Sequence, residues 1–298
     1  MTPRHDGIFV ALWSPTDADG RLRETDLTNN LDWLVEQGVH GIMALGSTGE
    51  FLHLEIEQRK RVLALAVANQ DELPVLANIS DLRPRVVAEL GGFAREIGAA
   101  AVSVLPPHFY AVAQPDLVEF FVRAGEAAHL PLYLYNYPER TGNRLSLETI
   151  AAVADRIPLA GIKQSGGEFD YHRHLVQLGR EKNFVVFTGS DARLPEAMAL
   201  GVVGCVSGLA NAVPEFMADI FEAIKAGTPE HVTGPVEFMR AMGILADQLE
   251  FPLNVAAAMQ ARGLAVGEPK AILSSTTRAR YLKLVANFEH LYRAWKLI

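Results

Sequence analysis

Short runs of apolar residues recur eight times along the first 210 positions, near 7–13, 40–45, 74–79, 100–105, 131–136, 158–163, 184–188 and 202–207. Each run is apolar almost without interruption, rather than at every second position, and is rich in Val, Ile and Leu. Strands of that kind are covered on both faces, as in a parallel sheet. Between them lie segments with helical spacing, such as Leu27, Leu31, Leu34 and Val35, or Val86, Val87, Leu90 and Phe93. This alternation predicts an α/β fold in which each parallel strand returns through a helix. Eight such units predict closure into a (β/α)8 TIM barrel. The alternative is a doubly wound open sheet, which more usually has about six strands and a G-x-G-x-x-G turn after the first. No such turn follows the first run here.

From about residue 213 the pattern changes. Segments 213–226, 229–250, 253–262 and 275–296 read as helices with no strand between them. The first completes the barrel. The expected division is therefore 1–226 as the barrel with its active site and 227–298 as a C-terminal helical extension, with no low-complexity linker between them. A length of 298 residues fits one such barrel.

The chain has one cysteine, Cys205, so no disulfide framework forms within it; we read Cys205 as a small buried hydrophobe. With no charged-then-apolar leader at the N-terminus, this predicts a cytoplasmic protein. No uninterrupted apolar stretch reaches the roughly 18 residues of a membrane span. The formal charge of −8 disfavours a general nucleic-acid or anionic-membrane surface, though not a local anion site.

In a barrel the reacting groups sit at the C-terminal ends of the strands. The sixth run, Pro158 to Lys163, ends in a lysine and is followed by Gln164-Ser165-Gly166-Gly167. A dry barrel mouth favours an uncharged amine, the form that attacks a carbonyl to make an imine. A lone lysine at a strand end is as readily a solvated one, so the neighbouring strand ends decide. The fifth run is Leu132-Tyr133-Leu134-Tyr135-Asn136-Tyr137-Pro138, whose alternation puts Tyr133, Tyr135 and Tyr137 on one face. Tyr135 is expected beside Lys163, where a phenol relays protons. Tyr133 lies deeper and is assigned to core packing. After the second run comes Gly46-Ser47-Thr48-Gly49-Glu50, with a helix expected from about Leu54. Its glycines and hydroxyls suit a carboxylate site, and an ordinary capped turn is the competing reading. Glu50 is read as a supporting or capping group.

Three motifs, GSTGEF at 46–51, YNYPERTG at 135–142 and GIKQS at 161–165, occur in that order. Together they resemble the dihydrodipicolinate synthase / N-acetylneuraminate lyase family of class I, Schiff-base aldolases, and the resemblance extends more weakly along the whole chain. It implies an eight-stranded barrel, a Schiff base with pyruvate or another 2-oxo acid on Lys163, a proton relay through Tyr135 and a carboxylate loop at Ser47 and Thr48. It places Gly189, Asp191 and Ser207 at matching ends of strands seven and eight, and Ser165 in a Lys-Gln-hydroxyl run beside the substrate. It implies no metal or organic cofactor, and a homo-oligomer, tetramer or dimer.

Within the family, dihydrodipicolinate synthases resemble this chain in having an arginine at the position of Arg140, where it grips a second carboxylate. They generally carry a relay tyrosine, donated to a neighbouring subunit, where this chain has Phe109, with Tyr110 one residue later. On the sialic acid lyase side a sugar-binding glutamate stands where this chain has Ala192, and the arginine is absent. Archaeal 2-keto-3-deoxy sugar-acid aldolases share the YNYP and GSD runs. The mixture implies a lyase or dehydratase acting on a 2-oxo acid with a second anionic or hydroxylated end. A non-catalytic 2-oxo acid sensor is the rival class. His172 and His174, two apart on a helix, do not share a face, so no metal pair is expected and both are read as surface histidines.

Overall fold

The structure is a computed structural model and describes residues 5–68 and 73–298. Eight strands alternate with helices: β1 (Gly7–Ala11), β2 (Gly41–Ala44), β3 (Val75–Asn78), β4 (Ala101–Val104), β5 (Leu132–Asn136), β6 (Leu159–Gln164), β7 (Val185–Thr188) and β8 (Gly204–Ser207). They pair in parallel in sequence order, and β8 pairs back onto β1 through Ile8 with Cys205 and Val10 with Ser207. The sheet is thus a closed barrel.

Alternation divides each strand between two cores. Inward-pointing Phe9, Met43, Leu76, Tyr133, Phe187 and Val206 fill the barrel, and the outward residues join the larger cluster beneath the helices. The interior is packed side chains, not a pore. Tyr133 is one of these fillers, as expected: its ring meets Phe187 edge-on at 6.1 Å. It has room because Gly161 faces it; a Cβ there would fall 2.5 Å from the Tyr133 ring.

The helices that matter below are α1 (Glu24–Glu36), α2 (Ile56–Ala68), α3 (Pro84–Glu96), α4 (Gln114–Ala128), α5 (Pro138–Thr141), α6 (Leu147–Arg156), α7 (Tyr171–Lys182), α8 (Leu194–Leu200) and α9 (Pro214–Lys225). Several start as their sequences dictate. Proline stands in the first turn of α3, α4, α8 and α9, where its missing N–H costs nothing. The Ser146 hydroxyl caps α6 by accepting from the Thr149 amide.

Three further helices, α10 (Thr233–Ala246), α11 (Leu253–Ala261) and α12 (Ser275–Ala294), lie beyond the barrel. The segment expected as one helix over 229–250 is instead a 3-10 turn, Pro229–Val232, followed by α10. Pro235 is the reason: it tolerates only the first turn of a helix, so α10 has to begin just ahead of it. Phe238 of α10 stacks on Phe216 of α9 at 3.9 Å, and Tyr292 of α12 donates to the Ala258 carbonyl of α11. No helix among the described residues is long and apolar enough to cross a membrane.

His172 departs from its expected surface position. It is 2% exposed, with Nδ1 2.7 Å from the Phe169 carbonyl. Residues 172, 175, 176 and 179 form the inner stripe of α7, so helical spacing itself buries this histidine. His174, off the stripe, is exposed.

Candidate active site

The register of β5 against β6 places Tyr135 opposite Lys163 and Asn136 opposite Gln164. Alternation sends the first pair into the mouth and the second outward. Lys163 Nζ donates to the Tyr135 hydroxyl at 3.2 Å, and the lysine is 6% exposed. The Ser47 hydroxyl stands 3.3 Å from the same phenol oxygen. Lysine, phenol and hydroxyl therefore form one chain of exchangeable protons across the top of the barrel.

The outward pair holds this arrangement. Asn136 Nδ2 donates to Gln164 Oε1 at 2.7 Å, while Asn136 Oδ1 accepts from the Leu145 amide at 3.0 Å. Both side chains are fully enclosed, where an unmet amide costs most. Asn136 and Gln164 stand inside the YNYPERTG and GIKQS motifs without an expected role. Their alternation relative to Tyr135 and Lys163 was the signal available.

The loop after β2 turns sharply. Leu45 and Glu50, neither of them glycine, sit at φ of +62° and +54°, in the left-handed region that such residues rarely enter. Asn78 Nδ2 fixes the first of these by donating to the Leu45 carbonyl at 2.6 Å. A 3-10 turn, Phe51–His53, intervenes before α2, so the helix starts at Ile56, later than the expected Leu54. Glu50 makes no side-chain cap; its carboxylate instead meets Lys270.

A cavity of about 300 Å³ opens over Lys163 and Tyr135, with Thr48, Ser165, Gly189 and Asp191 in its wall. Gly189 keeps this wall close to the reacting groups: a Cβ at this position would lie 2.1 Å from Ser165 Oγ and 3.1 Å from Lys163 Cε, so Ser165 would have to turn. The Asp191 carboxylate accepts from the Leu209 amide at 3.0 Å and lies 3.4 Å from Cys205 Sγ. Burial lifts its pKa, against the opposing donors Leu209, Ser207 and Cys205 and the charge of Lys163. Burial likewise raises the Cys205 thiol, which sits under Asp191 as an enclosed group.

Ser207 is a correction. It ends β8 as expected but is wholly buried, is absent from the cavity wall, and accepts the Ala210 amide at 2.9 Å. Val206 takes the inward position, so alternation turns Ser207 away from the cavity and behind Asp191.

A second recess of about 270 Å³ adjoins the first and is lined by Ser47, His53, His108, Arg140 and Thr141. Phe251, from the turn before α11, borders both recesses. The Arg140 guanidinium faces the Phe251 and Tyr137 rings at 5.5 and 6.0 Å. Phe251 and Asn254 reach the site from the helical C-terminus, whose sequence carries no local sign of it. Ala192 lines the first recess without a polar group. Phe109 and Tyr110, in the loop after β4, are 82% and 67% exposed and line neither recess. Among the described residues no cluster of three or more His, Cys, Asp or Glu is placed to hold a metal.

The dihydrodipicolinate synthetase family model matches residues 4–290. A 4-hydroxy-tetrahydrodipicolinate synthase of Methanopyrus kandleri is 31% identical over 269 residues, 89% of each chain. Among solved structures, YagE is a prophage protein of E. coli K12 belonging to the dihydrodipicolinic acid synthase family, in complex with pyruvate. It superposes with a TM-score of 0.88 at 27% identity, over 96% of this chain and 98% of its own. A dihydrodipicolinate synthase from Acinetobacter baumannii complexed with pyruvate gives 0.86 at 26%, over 95% and 99%. A match of this extent, on a closed barrel with a lysine–tyrosine pair at its mouth, means that the chain belongs to the dihydrodipicolinate synthetase family and is a class I, Schiff-base lyase of the pyruvate-dependent type.

Proposed function

We propose that Lys163 forms the imine with pyruvate or a related 2-oxo acid, and that Tyr135 moves the protons of its formation and breakdown. The observation that carries this is the 3.2 Å contact between Lys163 Nζ and the Tyr135 hydroxyl inside the mouth. The lysine nitrogen attacks the ketone carbon. The ketone oxygen leaves as water, taking a proton through Tyr135. Where the bound acid carries a hydroxyl on its fourth carbon, Tyr135 takes that hydroxyl's proton, and the bond between the third and fourth carbons breaks with its electron pair drawn into the cationic imine, giving an enamine and an aldehyde. Protonation of the enamine carbon and hydrolysis then release the 2-oxo acid and free the amine. Condensation is the same path reversed.

In this scheme the Ser47–Thr48 loop holds the substrate carboxylate, and Ser165 and Gly189 border the reacting carbons. Asp191 faces a hydroxylated tail and Arg140 an anionic one. The covalent imine supplies the electron sink, so the scheme calls on no metal or organic cofactor. The relatives complexed with pyruvate support pyruvate as the common substrate. Arg140, beside Ser47 and His108 and in no ion pair among the described residues, favours, as a second reading, condensation of pyruvate with aspartate semialdehyde. Phe109 counts against it, because a phenyl ring relays no proton.

Borohydride treatment with pyruvate tests the central claim by mass spectrometry. One covalent adduct is expected, absent in Lys163→Ala; an adduct that persists in that variant would place the chemistry on another amine. Binding of pyruvate with no adduct would favour the sensor. Sialic acid, 2-keto-3-deoxygluconate, and aspartate semialdehyde with pyruvate then separate the second-substrate readings.

A further inference from the structure

The C-terminal segment returns to the barrel mouth after α11. The Trp13 indole N–H donates to the Val266 carbonyl at 2.9 Å, and the Glu268 amide to the Thr16 carbonyl at 2.7 Å. Lys270 then turns inward. Its Nζ is 3.0 Å from Glu50 Oε2 and 4.6 Å over the Trp13 ring, with side-chain exposures of 2% for Lys270 and 9% for Glu50. Glu50 closes the Gly46–Glu50 loop, two residues after Thr48. Burial works against the Lys270 ammonium and Glu50 works for it.

A buried ion pair is a poor source of net stability, because desolvating both ions offsets their attraction. Its location suggests a different use. Glu50 borders the same recess as Ser47, and its other oxygen has only the half-exposed His53 ring at 3.9 Å as a basic neighbour among the described residues, so a Glu50 without Lys270 would set a negative charge beside a site that receives a carboxylate. We propose that Lys270 is a charge-balancing, positioning residue of the carboxylate site: it neutralises Glu50, and so lets the Ser47–Thr48 loop be anchored by a buried acid without repelling an anionic substrate. This rests on the reading of Ser47 and Thr48 as the carboxylate site.

The readouts are the pyruvate concentration for half-maximal borohydride trapping, and the maximal trapping rate. Lys270→Met is expected to raise the first at least tenfold while leaving the second within about threefold. Glu50→Gln, which keeps an acceptor for Lys270, is expected to stay within about threefold on both, as is the charge-conserving Lys270→Arg. In Glu50→Gln/Lys270→Met the half-saturating concentration is expected to return most of the way to the parent value. A merely structural role predicts the opposite ranking, with the double variant at least as weak as Lys270→Met, and that result overturns the proposal. So does an unchanged half-saturating concentration in Lys270→Met. Should Lys270→Met fail to fold, Glu50→Gln decides, since tenfold weakening there would contradict charge balance. Ser47→Ala/Thr48→Val serves as the control: weakened pyruvate trapping in this variant but not in Lys270→Met removes only the present inference, whereas no change in this variant removes the carboxylate-site reading itself.

Discussion

At the scale of single residues, the reaction depends on how closely an amine and a phenol are brought together. Tyr135 is 2% exposed, with Lys163 on one side of its hydroxyl and Ser47 on the other. Its ring is fixed by Tyr137, stacked at 6.1 Å. Tyr135→Phe keeps the ring and removes only the hydroxyl. We expect folding to be retained and turnover to fall by roughly 10² or more. Unchanged steady-state turnover would take Tyr135 out of the relay. Lys163 and Tyr135 were legible in the sequence because each closes an apolar run, and a strand end in a barrel is a known location in space. Ser207 was misread for a related reason: its place in the sequence was right, but a one-residue change in facing sends a side chain to the opposite side of the sheet.

At the scale of elements, strands were easier to read than their ends. The first run was expected to continue to residue 13, but β1 stops at Ala11 and the Trp13 amide is taken by Asn211 Oδ1. Apolar content marks burial: Leu12 and Trp13 are buried past the strand's end, Leu12 still giving its amide to the Met43 carbonyl of β2 at 3.0 Å. The expected division at residues 226 and 227 stays a proposal, since helices from both parts share one continuous hydrophobic cluster. Contacts between elements were largely illegible. Arg59 of α2 is 2% exposed and reaches the loop after β3, with Nη1 3.0 Å from Asp81 Oδ2 and Nη2 2.6 Å from the Ser80 carbonyl. Nothing in the spacing of a helical arginine announces an enclosed partner. Removing one member of such a pair strands the other, so Arg59→Met should cost about 3 kcal/mol. Asp81 keeps Arg83 at 2.8 Å, which holds the loss to the low end of that class. Denaturant unfolding measures it, and a change below about 1 kcal/mol would mean that Arg59 is dispensable to the α2 contact.

At the scale of the whole molecule, burial of phenols sets an alkaline limit. Tyr171 and Tyr281 are pushed up to about 12 by burial, from an ordinary value of 10.0, and Tyr292 is raised further. Each neutral phenol is favoured in the fold, so this contribution is complete below pH 10 and is lost as pH rises from 10 towards 12. Tyr171 donates to the Leu145 carbonyl and Tyr281 to Gln260, bonds that a phenolate cannot donate. In an alkaline titration, phenolate absorbance from these three residues should appear together with the loss of circular dichroism. Full ionisation of all seven tyrosines with the dichroism intact would contradict it.

The pairing of β8 with β1 carries a consequence for biogenesis. The ring has no finished edge until residue 207 has left the ribosome, and Lys270 emerges later still. Until then a nascent chain exposes unpaired strand margins, which are templates for wrong partners. A chain cut short before β8 would leave two such margins at once, on β1 and on β7.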